Sequence, residues 1–149
     1  MNVEGGCHCG FITYEAQVDP ETAGICHCTD CQALTGTAFR TFVLSTEGGF
    51  KLHSGQPKAY IRVGESGARR VQAFCPECGS PIYSTSDGEG PKIYSLRIGT
   101  IRQRYELPPR GQIWNRSAQP WLGTLSDIPR QEKQGDLALS LNPKGHQPS

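Results

Sequence analysis

Seven cysteines in 149 residues fall into three tight groups: Cys7 and Cys9 in CHCG, Cys26, Cys28 and Cys31 in CHCTDC, and Cys75 and Cys78 in CPECG. Thiols spaced this closely either bridge or share a metal ion, and either outcome ties distant parts of the chain together. A structural zinc closes on four protein ligands, whereas a zinc that does chemistry keeps three and leaves the fourth position to water or substrate. Seven thiols divide into four and three.

Disulfides fit the pattern poorly. The count is odd, C-x-C spacing strains a bridge, and MNVEGG has neither a basic n-region nor an apolar run. No stretch approaches the roughly 20 apolar residues of a membrane span. The expectation is a reducing, cytoplasmic setting, where a thiol cluster holds metal or does redox chemistry.

The length suits one domain, but 36% hydrophobic residues, a mean hydropathy of −0.48, 18 glycines and 11 prolines describe a turn-rich chain with a thin core. A structural zinc contributes roughly 10–16 kcal/mol of apparent binding free energy against a net stability of about 5–15, so metal can decide folding. A net charge of +1 argues against a general nucleic-acid binder.

Strand-like runs rich in β-branched and aromatic residues occur at 11–18, 38–44, 58–63, 70–74, 81–84 and 92–98, each ended by Gly, Pro or Ser. That spacing predicts a mainly β fold. One short helix is expected from Asp30 to Leu34, with Thr29 as N-cap and Gly36 just past its end. The domain is expected to span 1–129. The remainder, 130–149, is mostly polar, offers only Leu137, Leu139 and Leu141 in alternation, and reads as a loose extension.

Cys75-Pro-Glu-Cys78-Gly79 has the form of a zinc knuckle. A redox C-x-x-C would open a substantial helix, and Gly79-Ser-Pro81 followed by a strand signal does not. Cys7 and Cys9 are the natural second pair, although sequence alone does not prove the pairing. Cys26, Cys28 and Cys31 can reach one ion from a single loop. Its open position could take water, an exogenous thiolate, or His27 or His53. His8 and His27 both sit inside C-H-C, where neighbouring residues point away from a shared ion, and His53 reads as a strand-surface residue.

The segments GGCHCGFITYE, CHCTDCQALTGTAF, FCPECGSPIY and IWNRSAQPW resemble, in order and spacing, the glutathione-dependent formaldehyde-activating enzyme family, over about Gly5 to Pro129. The resemblance implies an Mss4-like fold of small antiparallel sheets arranged as a β-tent with one short helix. It also implies that Cys7, Cys9, Cys75 and Cys78 hold a structural zinc, and Cys26, Cys28 and Cys31 a reactive one. The implied reaction is the reversible addition of formaldehyde to glutathione, which makes carbon–sulfur lyase the natural class.

The resemblance further points to Thr35, Gly36 and Phe39 of the TG-x-x-F segment, and to Trp114 and Arg116, as substrate contacts. Trp121 suits either the pocket or the core. Arg97, Arg102, Arg104, Arg110 and Arg116 form the one basic stretch, which reads either as a solvated sheet edge or as a binding surface for glutathione's two carboxylates. Where many members carry His, this chain has Gln112, so a proton-transfer role does not carry over. The expected partner is a small thiol such as glutathione, with no nucleic acid and no membrane; the oligomeric state is unreadable. The rival reading is a non-catalytic zinc module that binds a protein partner.

Overall fold

In the computed structural model, residues 1–134 are described, and the predicted extension with Leu137, Leu139 and Leu141 lies largely outside them. The strands are β1 (Asn2–Gly6), β2 (Thr13–Cys26), β3 (Arg40–Ser54), β4 (Lys58–Val63), β5 (Arg69–Phe74), β6 (Pro81–Ser86), β7 (Ser95–Arg97) and β8 (Gly111–Ile113). The helix α1 spans Thr29–Thr35. The sheet runs β1-β2-β3-β7-β6-β5-β4, antiparallel throughout, with β8 added parallel to β2. The mainly β expectation holds.

β2 explains its own orientation. Tyr14, Ala16 and Val18 alternate inward with Glu15 and Gln17 outward, the period-two pattern of a half-buried strand. These inward residues join Val3, Ile12, Val43, Ile82, Leu96, Ile98, Ile101 and Leu107 in one core. Each such large side chain is worth roughly 1.5–3 kcal/mol of burial. Phe50 stacks on Tyr94 at 4.7 Å and packs against Tyr83 at 5.0 Å, extending the core as an aromatic cluster.

β2 and β3 run well past their predicted ends, and β6 runs slightly past its own. β2 continues through Asp19-Pro20, where its register against β3 shifts between Asp19 and Gly24, and such an irregularity accommodates a residue with no N–H to donate. β3 continues through Gly48, which adopts φ 67°. β7 is shorter than the predicted 92–98, and β1 and β8 are unanticipated.

Met1–Ala118 form one compact unit, and the described residues from Gln119 onward belong to a second. Within the second, Pro120–Asp127 form a 3₁₀ segment opened by Pro120. Trp121 there is 48% exposed, so it is not the core residue that was one of its two expected roles.

Candidate metal centres and adjoining cleft

Two hairpin turns and the β2–α1 connection place the seven thiols. The β1–β2 turn carries Cys7 and Cys9, and the β5–β6 turn carries Cys75 and Cys78. The second turn closes with Gly79 N–H donating to the Cys75 carbonyl at 2.8 Å, while Gly79 itself takes φ 80°. Gly79 is therefore there for its backbone, since a left-handed conformation strains any residue with a Cβ.

The four thiols of these turns converge, all Sγ atoms lying within 4.8 Å of one another. Cys7 and Cys9 are 3.6 Å apart, and Cys9 and Cys75 are 3.8 Å apart. A tetrahedral ion with metal–sulfur bonds of about 2.3 Å separates its sulfurs by about 3.8 Å. The donor set therefore fits a closed four-thiolate site for a metal ion. Backbone N–H groups already face it: Ile12 donates to Cys7 at 3.2 Å and Glu77 to Cys75 at 3.4 Å.

All seven cysteines are free thiols. Hydrogen bonds from Ser80 hold Cys78 down at about 5. The Phe11 N–H favours the Cys9 thiolate, but desolvation and the neighbouring thiols of Cys7, Cys78 and Cys75 outweigh it and push Cys9 up to about 12. Metal-free, the group is thus a mixture of thiolate and thiol.

Cys26 ends β2, and Cys28 and Cys31 flank the start of α1; their three Sγ atoms also lie within 4.8 Å of one another. The N-cap is Cys28 rather than the predicted Thr29: its sulfur accepts from Cys31 N–H at 3.2 Å, so the cap and a candidate ligand are one atom. Gly36 closes the helix at φ 66° as expected. Burial, with the thiols of Cys28 and Cys31 beside it, pushes Cys26 up to about 12. Burial also opposes ionisation of Cys31, yet the Arg40 guanidinium, donating from Nε to its sulfur at 3.4 Å, pulls it below its ordinary value. Among the described residues these two clusters are the groupings of three or more metal-ligating side chains.

Among the described residues, no histidine joins either group. His8 is exposed, and His53 lies on β3 within 3.6 Å of Glu15, the surface role expected of it. His27 is 2% exposed and turned away from the thiols, its Nε2 2.7 Å from Gln112 Oε1 and its ring edge-on to Phe39. Parallel pairing of β8 with the end of β2 brings Gln112 there, with Ile25 opposite it in register.

β8 also delivers Trp114, the one non-glycine residue at positive φ among the described residues (φ 56°, ψ 37°). A bulky residue in this region costs of order 1–3 kcal/mol and is tolerated where surroundings hold it. Here the Arg116 guanidinium lies 5.1 Å from the ring centroid, a cation–π contact. Gln32 Nε2 donates to the carbonyls of His27 and Ser117, fastening α1 to this segment.

Trp114, Arg116 and Cys28 line one cleft of about 530 Å³, together with Asp30, Arg62 and Arg70. Thr35, Gly36 and Phe39 lie elsewhere: Thr35 Oγ1 donates to the Cys31 carbonyl at 2.7 Å, Gly36 caps the helix, and Phe39 packs on His27.

The basic stretch is dispersed. Arg97 is buried, Arg102 pairs with Glu4 at 2.6 Å, Arg110 with Glu21 at 3.5 Å, and Arg104 donates to the Gly99 carbonyl; only Arg116 reaches the cleft. Arg40, Arg62 and Arg70, which the strands β3, β4 and β5 carry beside the three-thiol group, were not singled out from sequence. Alternation on those strands was the available signal.

No curated protein matches the chain. A crystal structure of a Rhodobacter sphaeroides protein, a structural genomics target, superposes with a TM-score of 0.56 at 16% identity, over 73% of this chain and 98% of that one. That likeness concerns the fold alone. The family model described as glutathione-dependent formaldehyde-activating enzyme matches residues 2–117, a range that holds all seven cysteines and coincides with the first compact unit. The chain therefore belongs to the glutathione-dependent formaldehyde-activating enzyme family, with the Mss4-like fold of that family.

Proposed function

We propose that this protein is a zinc-dependent carbon–sulfur lyase acting on a thiol adduct of the S-hydroxymethylglutathione type, with Cys26, Cys28 and Cys31 holding the reactive zinc and Cys7, Cys9, Cys75 and Cys78 a structural one. The observation that carries this reading is that Cys28 of the three-thiol group opens onto the cleft of Arg62, Arg70, Trp114 and Arg116. A zinc ion bound by three thiolates supplies a fourth position at which a substrate thiol is held as thiolate.

The chain's own residues supply binding and orientation. Arg70 and Arg116 have no carboxylate partner among the described residues and are available to the two carboxylates of glutathione, whereas Arg62 is already held by Asp30 at 2.9 Å. The Trp114 indole, held by its backbone and by Arg116, forms one wall of the cleft. In the lyase direction the adduct's hydroxyl gives up its proton, the carbon–oxygen bond becomes a carbonyl, the carbon–sulfur bond breaks with its electron pair going to sulfur, and the proton ends on that sulfur as the thiol leaves. Formaldehyde and the thiol are the products, and the reverse sequence condenses them. His27 Nε2 is already engaged by Gln112, so we assign the pair a positioning role beneath the Cys26–Cys31 loop.

The test is formaldehyde release from S-hydroxymethylglutathione above the spontaneous rate, measured for the zinc-loaded protein and for Cys28→Ser. Catalysed release lost in the variant supports the lyase. No excess release by either protein would instead favour the non-catalytic binding module.

A further inference from the structure

A second cavity, of about 400 Å³, is lined in part by Arg40, the residue that donates to Cys31. Its walls are Leu34 of α1, Phe74, Pro81 and Tyr83, and two guanidiniums, Arg40 and Arg97, stand among them. Both arginines are buried, at 5% and 8% exposure, and neither pairs with a carboxylate of the described residues. Buried charges are expensive unless compensated.

The compensation present is incomplete. Arg40 donates from Nε to Cys31, and no described residue accepts from its Nη groups. Arg97 donates to Gln72 Oε1 at 2.8 Å and to Ser95 Oγ at 3.4 Å, while its Nε is buried without a partner. Burial, then the charge of Arg40, brings Arg97 down to about 9, although the thiols of Cys31 and Cys26 pull the other way. The three-thiolate group does not cancel the two cations: with a divalent ion it keeps one negative charge against two guanidiniums.

We propose that this cavity binds the carboxylate of an apolar organic acid, an aromatic or medium-chain aliphatic one, with its head between Arg40 and Arg97 and its body against Leu34, Phe74, Pro81 and Tyr83. Two fixed cations select the carboxylate, and apolar walls select against a polar zwitterion such as glutathione. This site is separate from the Trp114 cleft and does not depend on the lyase reading.

The test uses zinc-loaded full-length protein and ligand-observed NMR titrations with octanoate, 3-phenylpropionate, their neutral amides, and acetate. Each apolar acid should bind at least tenfold tighter than its amide and than acetate. Arg97→Gln should bring the acid-to-amide ratio close to one. Because that variant removes a buried group, Leu34→Glu serves as a second probe: Leu34 is 37% exposed, and a carboxylate at the wall should weaken octanoate at least tenfold with melting unchanged. Equal affinity for acid and amide, no binding of either, or indifference to Leu34→Glu would overturn the proposal. The thiol response of the Cys26/Cys28/Cys31 site, read separately by cobalt absorption in Leu34→Glu, keeps failure here distinct from failure of the lyase reading.

Discussion

The Nε of Arg40 lies 3.4 Å from the Sγ of Cys31, so a buried guanidinium from β3 is the hydrogen-bond donor to one of three clustered thiols on α1 and its approach. This contact makes the thiols of the cluster unequal. Cys31 is pulled below its ordinary value while Cys26 is pushed up to about 12. Likewise Cys78 sits at about 5 and Cys9 at about 12 in the other cluster. Since the thiolate is the nucleophile, brief alkylation at neutral pH of protein with metal kept at the four-thiol site and removed from the three-thiol site should label Cys31 before Cys26. Arg40→Met should slow labelling of Cys31, as read by peptide mass spectrometry.

The four-thiol site joins the β1–β2 turn to the β5–β6 turn, far apart in sequence, and Cys7 and Cys75 are buried there. Losing one ligand should therefore unfold much of the first unit. Cys78→Ser is expected to lower the melting temperature by at least about 10 °C, equivalent to a few kcal/mol for a domain of this size. Cys31→Ser, at a site within one loop, should change it by much less. The reverse order in thermal melts would exchange the two assignments.

Gly5 faces the Tyr14 ring, where an added Cβ would lie 2.3 Å from Cζ and 2.7 Å from the Thr100 carbonyl. Tyr14 is core, its hydroxyl bonded to Thr100 at 2.8 Å, and has no room to retreat. Gly5→Ala should cost about 1–3 kcal/mol in denaturant unfolding, the range for overpacked cores. A neutral result would contradict the packing of β1 on β2.

This close approach also explains why β1 was not legible. MNVEGG reads as a turn because of its glycines, yet Gly5 is there so that the strand can pass over Tyr14. The cysteine groups were legible because each depends on local spacing, and β4 was found with its exact bounds because 58–63 has clear turn signals on both sides. Arg40, Arg70 and Arg97 were not recognised as companions in space because pairing of β3, β5, β6 and β7 decides which of their faces meet. The run 97–116 looked like one basic patch only because it is contiguous in sequence; Glu4 and Glu21, from β1 and β2, claim two of its members.

His27 has its Nε2 bonded to Gln112 and its Nδ1 buried with no partner. Gln112→Leu would leave both ring nitrogens without a protein partner and should destabilise the first unit by about 1–3 kcal/mol. Gln112→Asn, shorter by one methylene, should recover only part of that. Chemical denaturation of the three proteins measures it, and equal stability would contradict the pairing.

The most direct measurement of the central claim is the absorption of protein with cobalt at Cys26, Cys28 and Cys31 and zinc retained at the other cluster, titrated with glutathione. The account predicts a new thiolate-to-metal band as a fourth sulfur enters, absent in Cys31→Ser and requiring higher glutathione in Arg116→Gln or Arg70→Gln, with a response to 2-mercaptoethanol that those two substitutions leave unchanged. A spectrum indifferent to every thiol would contradict an open, substrate-accepting site.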